Sequence, residues 1–509
     1  MEKDRYKHFK IWQPLLLGLV AAIGFYGGLK VKLPQGQKKD GLENIEQSQQ
    51  QKILDVWSYV HSLYIDSLSE KHLTDALLKS FLESLDPYSE YISTDDIKSD
   101  LASINGTQFS FGTEFILLDT SLYLINVIPG SVASQHGLKN GDQVLALNGH
   151  SVQSHSSGWK NVLDSIQLQQ LDNLDIKVRS SSGYQLMEAH LEGVVLDEPA
   201  VKNAYPVQTD MVYLKINEFT KGVYRQFMQA LEPFMAEKNQ KNLIIDLRGN
   251  RGGLVSEAAN ILNQFFVEKD ILMFKTVGFH QSPKEYKTTG KVFFNIGKIA
   301  VLIDSCTASA AELFAMCLQD LKRAKIVGDT SYGKSLVLEH LNLADGSAIR
   351  LAVSKFFTKS QRDIQKPAAN GLHELAEQDK RKGSEVDGHS NLHGVLPDHP
   401  AEHSSYVNYP SEQAAEWIDQ YIIKHLDLFR SIVKDQPEQI ANAASIDQEI
   451  EKAYSLRPLS KFETTDKKLF NHYFRLGLCA WLFDTDLEQQ MQLREDSLID
   501  LAIEQLEKK

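Results

Sequence analysis

The sequence predicts a multidomain α/β chain: an α/β core, a small β-rich module, helical N- and C-terminal regions, and one N-terminal transmembrane helix. Three observations carry this expectation. Before residue 100, apolar residues recur at helical spacing, as in Leu54, Trp57, Val60 and Leu63, and then in Leu73, Leu77, Leu78 and Phe81. From 101 to 195 the pattern becomes strand-like and is punctuated by glycine turns. From 196 to 365, short apolar strands alternate with Gly-rich loops and helical stretches, the arrangement of strand–loop–helix units.

The elements follow in order. Lys3, Arg5, Lys7 and Lys10 precede residues 11–29, a run of 19 residues without a charge. That is long enough to span a bilayer. The basic flank belongs in the cytoplasm, which places the remainder outside. The expected location is a bacterial inner membrane, crossed once, with the rest of the chain periplasmic or extracytoplasmic. The run is long for a signal peptide and no A-x-A site follows it, so an uncleaved anchor is expected. Residues 1–32 are thus the tail and anchor, and 33–100 a polar linker with an N-terminal helical region. Asp86-Pro87 breaks that helical pattern.

Residues 101–195 form the β-rich module. Its strands at 122–127 and 143–147 are separated by Pro129-Gly130 and a short helical stretch, and Asn148-Gly149 is a hairpin turn. Residues 196–410 form the α/β domain, with strands at 211–216, 243–247, 299–303 and 324–327 and helices at 224–234, 254–266 and 310–321. Such a sheet binds ligands at the carboxyl ends of its strands. Residues 370–395 read as a polar insertion, and 411–509 as helical, suited to packing or oligomerisation.

Composition excludes several classes. The formal net charge of −13 argues against a nucleic-acid partner. Three cysteines, Cys306, Cys317 and Cys479, form neither a disulfide framework nor a CxxC pair, which argues against a zinc site. No metal and no cofactor is called for.

Three loops carry the chemistry. Residues 246–253 read Asp-Leu-Arg-Gly-Asn-Arg-Gly-Gly, where glycines let backbone N–H groups approach a ligand. Residues 305–312 read Ser-Cys-Thr-Ala-Ser-Ala-Ala-Glu and place the Ser309 hydroxyl at a helix N-terminus, which favours a developing oxyanion. Residues 328–335 read Gly-Asp-Thr-Ser-Tyr-Gly-Lys-Ser and match a phosphate-binding loop. Such a loop must open a helix, whereas 335–343, the Asp345-Gly346 turn and 348–353 read as a hairpin. A serine nucleophile needs a base, and a lysine kept neutral by burial can serve. No histidine lies in these loops.

Together these motifs resemble the C-terminal processing, or tail-specific, serine peptidase family, over residues 50–400. Leu85-Asp86-Pro87-Tyr88-Ser89-Glu90-Tyr91 resembles that family's N-terminal motif, and residues 101–195 its PDZ domain. Residues 307–312 resemble the nucleophile motif, Tyr332-Gly333-Lys334 the lysine motif, and 247–253 the oxyanion loop; Ser309 and Lys334 stand 25 positions apart, as in the family. The resemblance implies a serine endopeptidase that cleaves proteins near their C-termini. Ser309 would attack the scissile carbonyl and Lys334 would exchange the proton. The N–H groups of Ala310 and of Gly252 or Gly253 would hold the oxyanion. A PDZ loop of Phe111, Gly112 and Phe115 would bind the free C-terminus of a protein or peptide substrate.

Three departures stand out. The family's glutamine four residues after the lysine is Leu338 here, and Asp320 is the substitute considered for it. Arg251 replaces a proline, and Glu114 puts a negative charge in the carboxylate loop. Arg248 and Glu312 are read as structural, pairing with each other near the site. The alternative to a peptidase is a catalytically impaired relative that acts as a periplasmic peptide-binding scaffold.

Overall fold

The computed structural model describes residues 43–508 apart from 119, 153–171, 182–184, 202, 238–239, 280, 368–392, 402–411, 435, 459–466, 484–492 and 494–495. The expected membrane span, 11–29, and most of the insertion at 370–395 lie outside the described residues. Among the described residues no helix is long and apolar enough to cross a membrane.

The chain divides into two units, residues 1–76 and 77–509. In the first, a helix runs Glu43–Leu63 and a second begins at Glu70. The first helix starts inside the stretch read as a linker, because its Glu and Gln residues favour helix. His61 Nε2 lies 2.7 Å from Glu70 Oε1 across the turn between them.

In the second unit, the β-rich module forms an antiparallel sheet in the order Glu114–Leu118, Ser121–Ile125, Gln143–Leu147, Asn173–Arg179 and Leu186–Glu192. The Asn148-Gly149 turn forms as predicted, with both residues at positive φ and Leu147 paired to His150. One face of this sheet buries Phe111, Leu122, Leu124 and Val178 in the module's own core. On the other, Ile116, Leu118, Tyr123 and Ile125 pack against C-terminal helices through Ile422, Phe429 and Phe474.

The central sheet of the α/β domain runs Ala204–Gln208, Met211–Lys215, Asn242–Asp246, Ile299–Ile303, Lys325–Gly328 and His399–Pro400. From Met211–Lys215 onward its neighbours are parallel. Strands with apolar residues on both faces need cover on both sides. Helices Val223–Glu232, Val255–Leu262 and Ala310–Asp320 cover one face, against Leu214, Ile245, Val301 and Ile326. Helix Ser497–Glu507 covers the other, where Leu498, Ile499 and Ala502 meet Tyr213, Ile244 and Leu302. The helix Ser497–Glu507, inside the stretch read as the C-terminal helical region, therefore packs on the α/β domain.

A second, antiparallel sheet contains the predicted hairpin, Leu336–Asn342 with Ala348–Thr358. Strand Glu90–Ile92 joins its edge, Glu90 opposite Arg350. The segment after Asp86-Pro87, placed by sequence in a helical region, thus lies beside the lysine loop.

Candidate active site

The three loops leave the carboxyl ends of adjacent parallel strands, Asn242–Asp246, Ile299–Ile303 and Lys325–Gly328. Their backbones are tied to one another. Asp304 Oδ1 accepts from the N–H groups of Gly249 (3.1 Å) and Thr307 (2.9 Å). Thr307 Oγ1 donates to the Leu247 carbonyl at 2.9 Å, and Ala308 N donates to Asn250 O at 2.9 Å. Tyr332 N donates to Thr307 O at 3.0 Å, which brings in the third loop.

Glu312 locks this assembly. Its side chain is fully buried, one turn into the helix that starts at Ala310. Oε2 accepts from the N–H groups of Ser309 (2.8 Å) and Lys334 (2.7 Å). Oε1 accepts from Gly333 N (2.6 Å) and Ser331 Oγ (2.5 Å). Burial raises the pKa of this carboxyl, against the pull of its four donors. Glu312 thus has a larger part than sequence suggests, and it does not pair with Arg248. The Arg248 guanidinium instead binds Asp246 and Asp496, each at 2.6 Å, while Tyr213 donates to Asp246 at 2.8 Å. Burial alone would raise the Asp246 pKa, but Arg248 outweighs it and the pKa is lowered.

Ser309 occupies a sharp turn between strand and helix, with φ 55° and ψ −117°. Residues with a side chain rarely adopt this conformation, which costs about 1–3 kcal/mol and tends to occur at functional sites. Gly252 packs against it: a Cβ there would lie 2.8 Å from Ser309 Cβ and 3.0 Å from Ala310 N. Of the two glycines considered for the oxyanion, Gly252 has its N–H committed to Asn250 Oδ1 at 2.8 Å. The N–H groups of Gly253 and Ala310 meet no protein acceptor among the described residues.

Lys334 is half-buried. Burial lowers its pKa, and Arg350 adds to this; Asp86, Glu312 and Glu90 oppose the shift without cancelling it. Its ammonium forms no hydrogen bond or ion pair with a described residue, and Nζ stands 4.5 Å from the centre of the Tyr88 ring. Leu338 lies within the strand Leu336–Asn342 and offers no polar group.

Asp320 is not brought to this cluster. It ends the helix that Ser309 begins, about 16 Å away along the axis. It binds Thr358 Oγ1 and pairs with Arg362 at 2.9 Å. The phosphate-loop match also fails in structure, because a strand rather than a helix follows Ser335 and the Gly333 and Lys334 amides already serve Glu312. Cys306 is exposed and Cys317 buried.

In the β-rich module, Phe111 is a core residue, in edge contact with Phe109. Gly112 makes the turn at φ 82°, where a Cβ would come within 2.3 Å of the Ser131 side chain; its N–H donates to Ser110 Oγ. Phe115 lies on the edge strand, half-buried against the core, and exposed Glu114 accepts from Asn126 Nδ2.

Residues 210–372 match the family described as peptidase family S41, and residues 99–158 match the PDZ domain. The chain is 27% identical over 318 residues to the carboxy-terminal processing protease CtpA of Bacillus subtilis, covering 60% of this chain and 65% of that protein. It is 27% identical to CtpB of the same organism over 331 residues, covering 63% and 65%. The chain therefore spans a little under two thirds of the length of these relatives. A solved structure, the photosystem II D1 C-terminal processing protease, is 19% identical, with a TM-score of 0.38 over 70% of this chain and 93% of that one.

Proposed function

We propose, from the premise that the chain carries a peptidase family S41 segment and a PDZ segment, that it is a serine endopeptidase acting near the C-termini of proteins. Ser309 is the nucleophile and Lys334 its general base. The observation that carries this is the shared carboxylate oxygen: Glu312 Oε2 holds the amides of both residues, in two loops far apart in sequence. Oxygen Oγ of Ser309 attacks the scissile carbonyl and passes its proton to neutral Lys334. The oxyanion is received by the N–H groups of Ala310 and Gly253, at the positive end of the helix Ala310–Asp320. Lys334 then returns the proton to the leaving amine.

The PDZ segment recruits the substrate tail as an added strand. The strand Glu114–Leu118 lies at the edge of its sheet, with no described strand on its outer side, which supports this role. Residues 11–29 anchor the protein in a membrane, with the peptidase on the outer side.

The chain is incubated with casein beside Ser309→Ala. Wild type is expected to cleave and the variant not; equal cleavage by both sinks the peptidase reading. One observation favours a second reading, a scaffold that binds peptides without cutting them: the Lys334 ammonium makes no hydrogen bond to Ser309 Oγ. In that case neither protein cleaves, while C-terminal peptides still bind.

A further inference from the structure

The Lys334 ammonium must be aimed by something, and the hydrogen-bonding partners expected of a catalytic lysine do not supply it. Leu338 is apolar, Asp320 is at the far end of its helix, and Glu312 spends its oxygens on backbone amides and Ser331. What Lys334 does meet is the face of Tyr88, 4.5 Å from Nζ to the ring centre. A ring face attracts an ammonium through its quadrupole.

Tyr88 is itself fixed. Asp86 Oδ1 accepts from the amides of Tyr88 and Ser89, each at 2.8 Å, and Asp86 Oδ2 accepts from Ser89 Oγ at 2.7 Å. Ala352 N donates to Ser89 Oγ at 3.1 Å, fastening the turn to the hairpin that follows the lysine loop. Strand Glu90–Ile92 continues the attachment. Burial pushes the pKa of the Tyr88 hydroxyl up, and the neighbouring Tyr332 of the lysine loop adds to this. The turn is tied to the same hairpin that follows the lysine loop.

We propose that Tyr88 is a positioning residue for Lys334, its ring face holding and aiming the ammonium in the place where a side-chain amide would otherwise do so. This rests on the reading of Lys334 as the base. Tyr88 comes from outside the segment 210–372, so the turn at 86–89 is part of the peptidase site.

The test compares Tyr88→Leu, which keeps an apolar contact without a ring, with Tyr88→Phe, which keeps the ring. Two readouts are taken on the full chain. The first is kcat and KM for casein against pH. The second is the pH midpoint for acylation of Lys334, followed by mass spectrometry, which needs no turnover. Removing the ring withdraws an attraction for the charged form, while Arg350, Asp86, Glu312 and Glu90 still face the lysine. Tyr88→Leu is therefore expected to lower kcat about 10-fold with KM little changed, and to move both the acid limb and the labelling midpoint down by about 0.5–1 pH unit. Tyr88→Phe is expected to restore kcat to within about 3-fold of wild type.

The idea is overturned if Tyr88→Leu has the wild-type midpoint, or if Tyr88→Phe loses as much as Tyr88→Leu. If Tyr88→Leu does not fold, fluorinated phenylalanines at position 88 decide. They keep the ring's shape while weakening its face, and a midpoint that does not fall with fluorination overturns the proposal. A shifted midpoint in a chain without Ser309-dependent cleavage removes the peptidase reading and leaves only the hold of the ring on the ammonium.

Discussion

At the residue scale, Glu312 and Lys334 make separable demands. Both oxygens of Glu312 accept two donors. An amide at this position has one acceptor and must turn its NH2 group toward two other donors. Glu312→Gln should therefore lower kcat about 10- to 100-fold although volume is unchanged, because either the amides of Ser309 and Lys334 or the Gly333 amide and the Ser331 hydroxyl meet an NH2 in place of an acceptor. Steady-state kinetics checks this, and a variant within 2-fold of wild type would show the carboxylate to be dispensable. Lys334 makes a pH prediction. Its pKa is lowered, so activity should rise with pH through a value below that of an ordinary lysine. Arg350 contributes to that lowering. Arg350→Gln removes a positive charge and frees Glu90 and Asp100, so the pKa must rise and the acid limb move to higher pH. An unmoved limb would falsify the assignment of Lys334 as the base. Ser309 and Lys334 were legible in sequence through their spacing and their loops. Glu312 was read only as a structural residue near the site, since a Ser-x-x-Glu pattern ordinarily reports capping and nothing more. Tyr88 was named only within the motif at 85–91; that its ring meets Lys334 was not legible, because no local pattern says which strand a turn will join.

At the scale of elements, the parallel strands, their helices and the hairpin were readable from apolar runs and turn residues. Long-range attachment was not. Asp496, at the start of the helix Ser497–Glu507, binds Arg248 at the root of the loop 246–253, 248 positions away. It also caps its own helix by accepting from Leu498 N at 3.0 Å. Two substitutions separate these roles. Asp496→Asn keeps a good cap but loses the charge, and should cost about 1.5–3 kcal/mol. Asp496→Ala loses both, and should cost about 1 kcal/mol more. Chemical denaturation measures each. Equal stability of wild type and Asp496→Asn would mean that the Arg248–Asp246 pair suffices alone.

At the scale of the molecule, the C-terminal helices cover two different sheets. Ile418, Ile422, Phe429 and Phe474 lie over the PDZ sheet, and Leu498, Ile499, Ala502 and Leu506 over the central sheet. Sequence reading placed helices here but not their partners, since an amphipathic helix does not name the surface it will meet. Removing residues 411–509 should uncover Ile116, Leu118, Tyr123 and Ile125 together with Tyr213, Ile244 and Leu302. Contiguous apolar surface of that kind leads to aggregation. The truncated chain is expected to be insoluble or to bind a hydrophobic dye; a soluble monomer with a wild-type melting temperature would refute it.

The bond between Arg248 and Asp496 also bears on how the protein comes into being. Synthesis proceeds from the N-terminus, and earlier domains fold while later ones are still being made. Ser309, Lys334 and the loop at 246–253 all emerge long before residue 496 does. Until that residue leaves the ribosome, Arg248 lacks one of its two carboxylates and the central sheet lacks one of its covers. A chain that has not reached residue 496 carries all three loops yet not the second carboxylate that holds Arg248. Docking of the helix Ser497–Glu507 is thus the step that finishes the mounting of these loops.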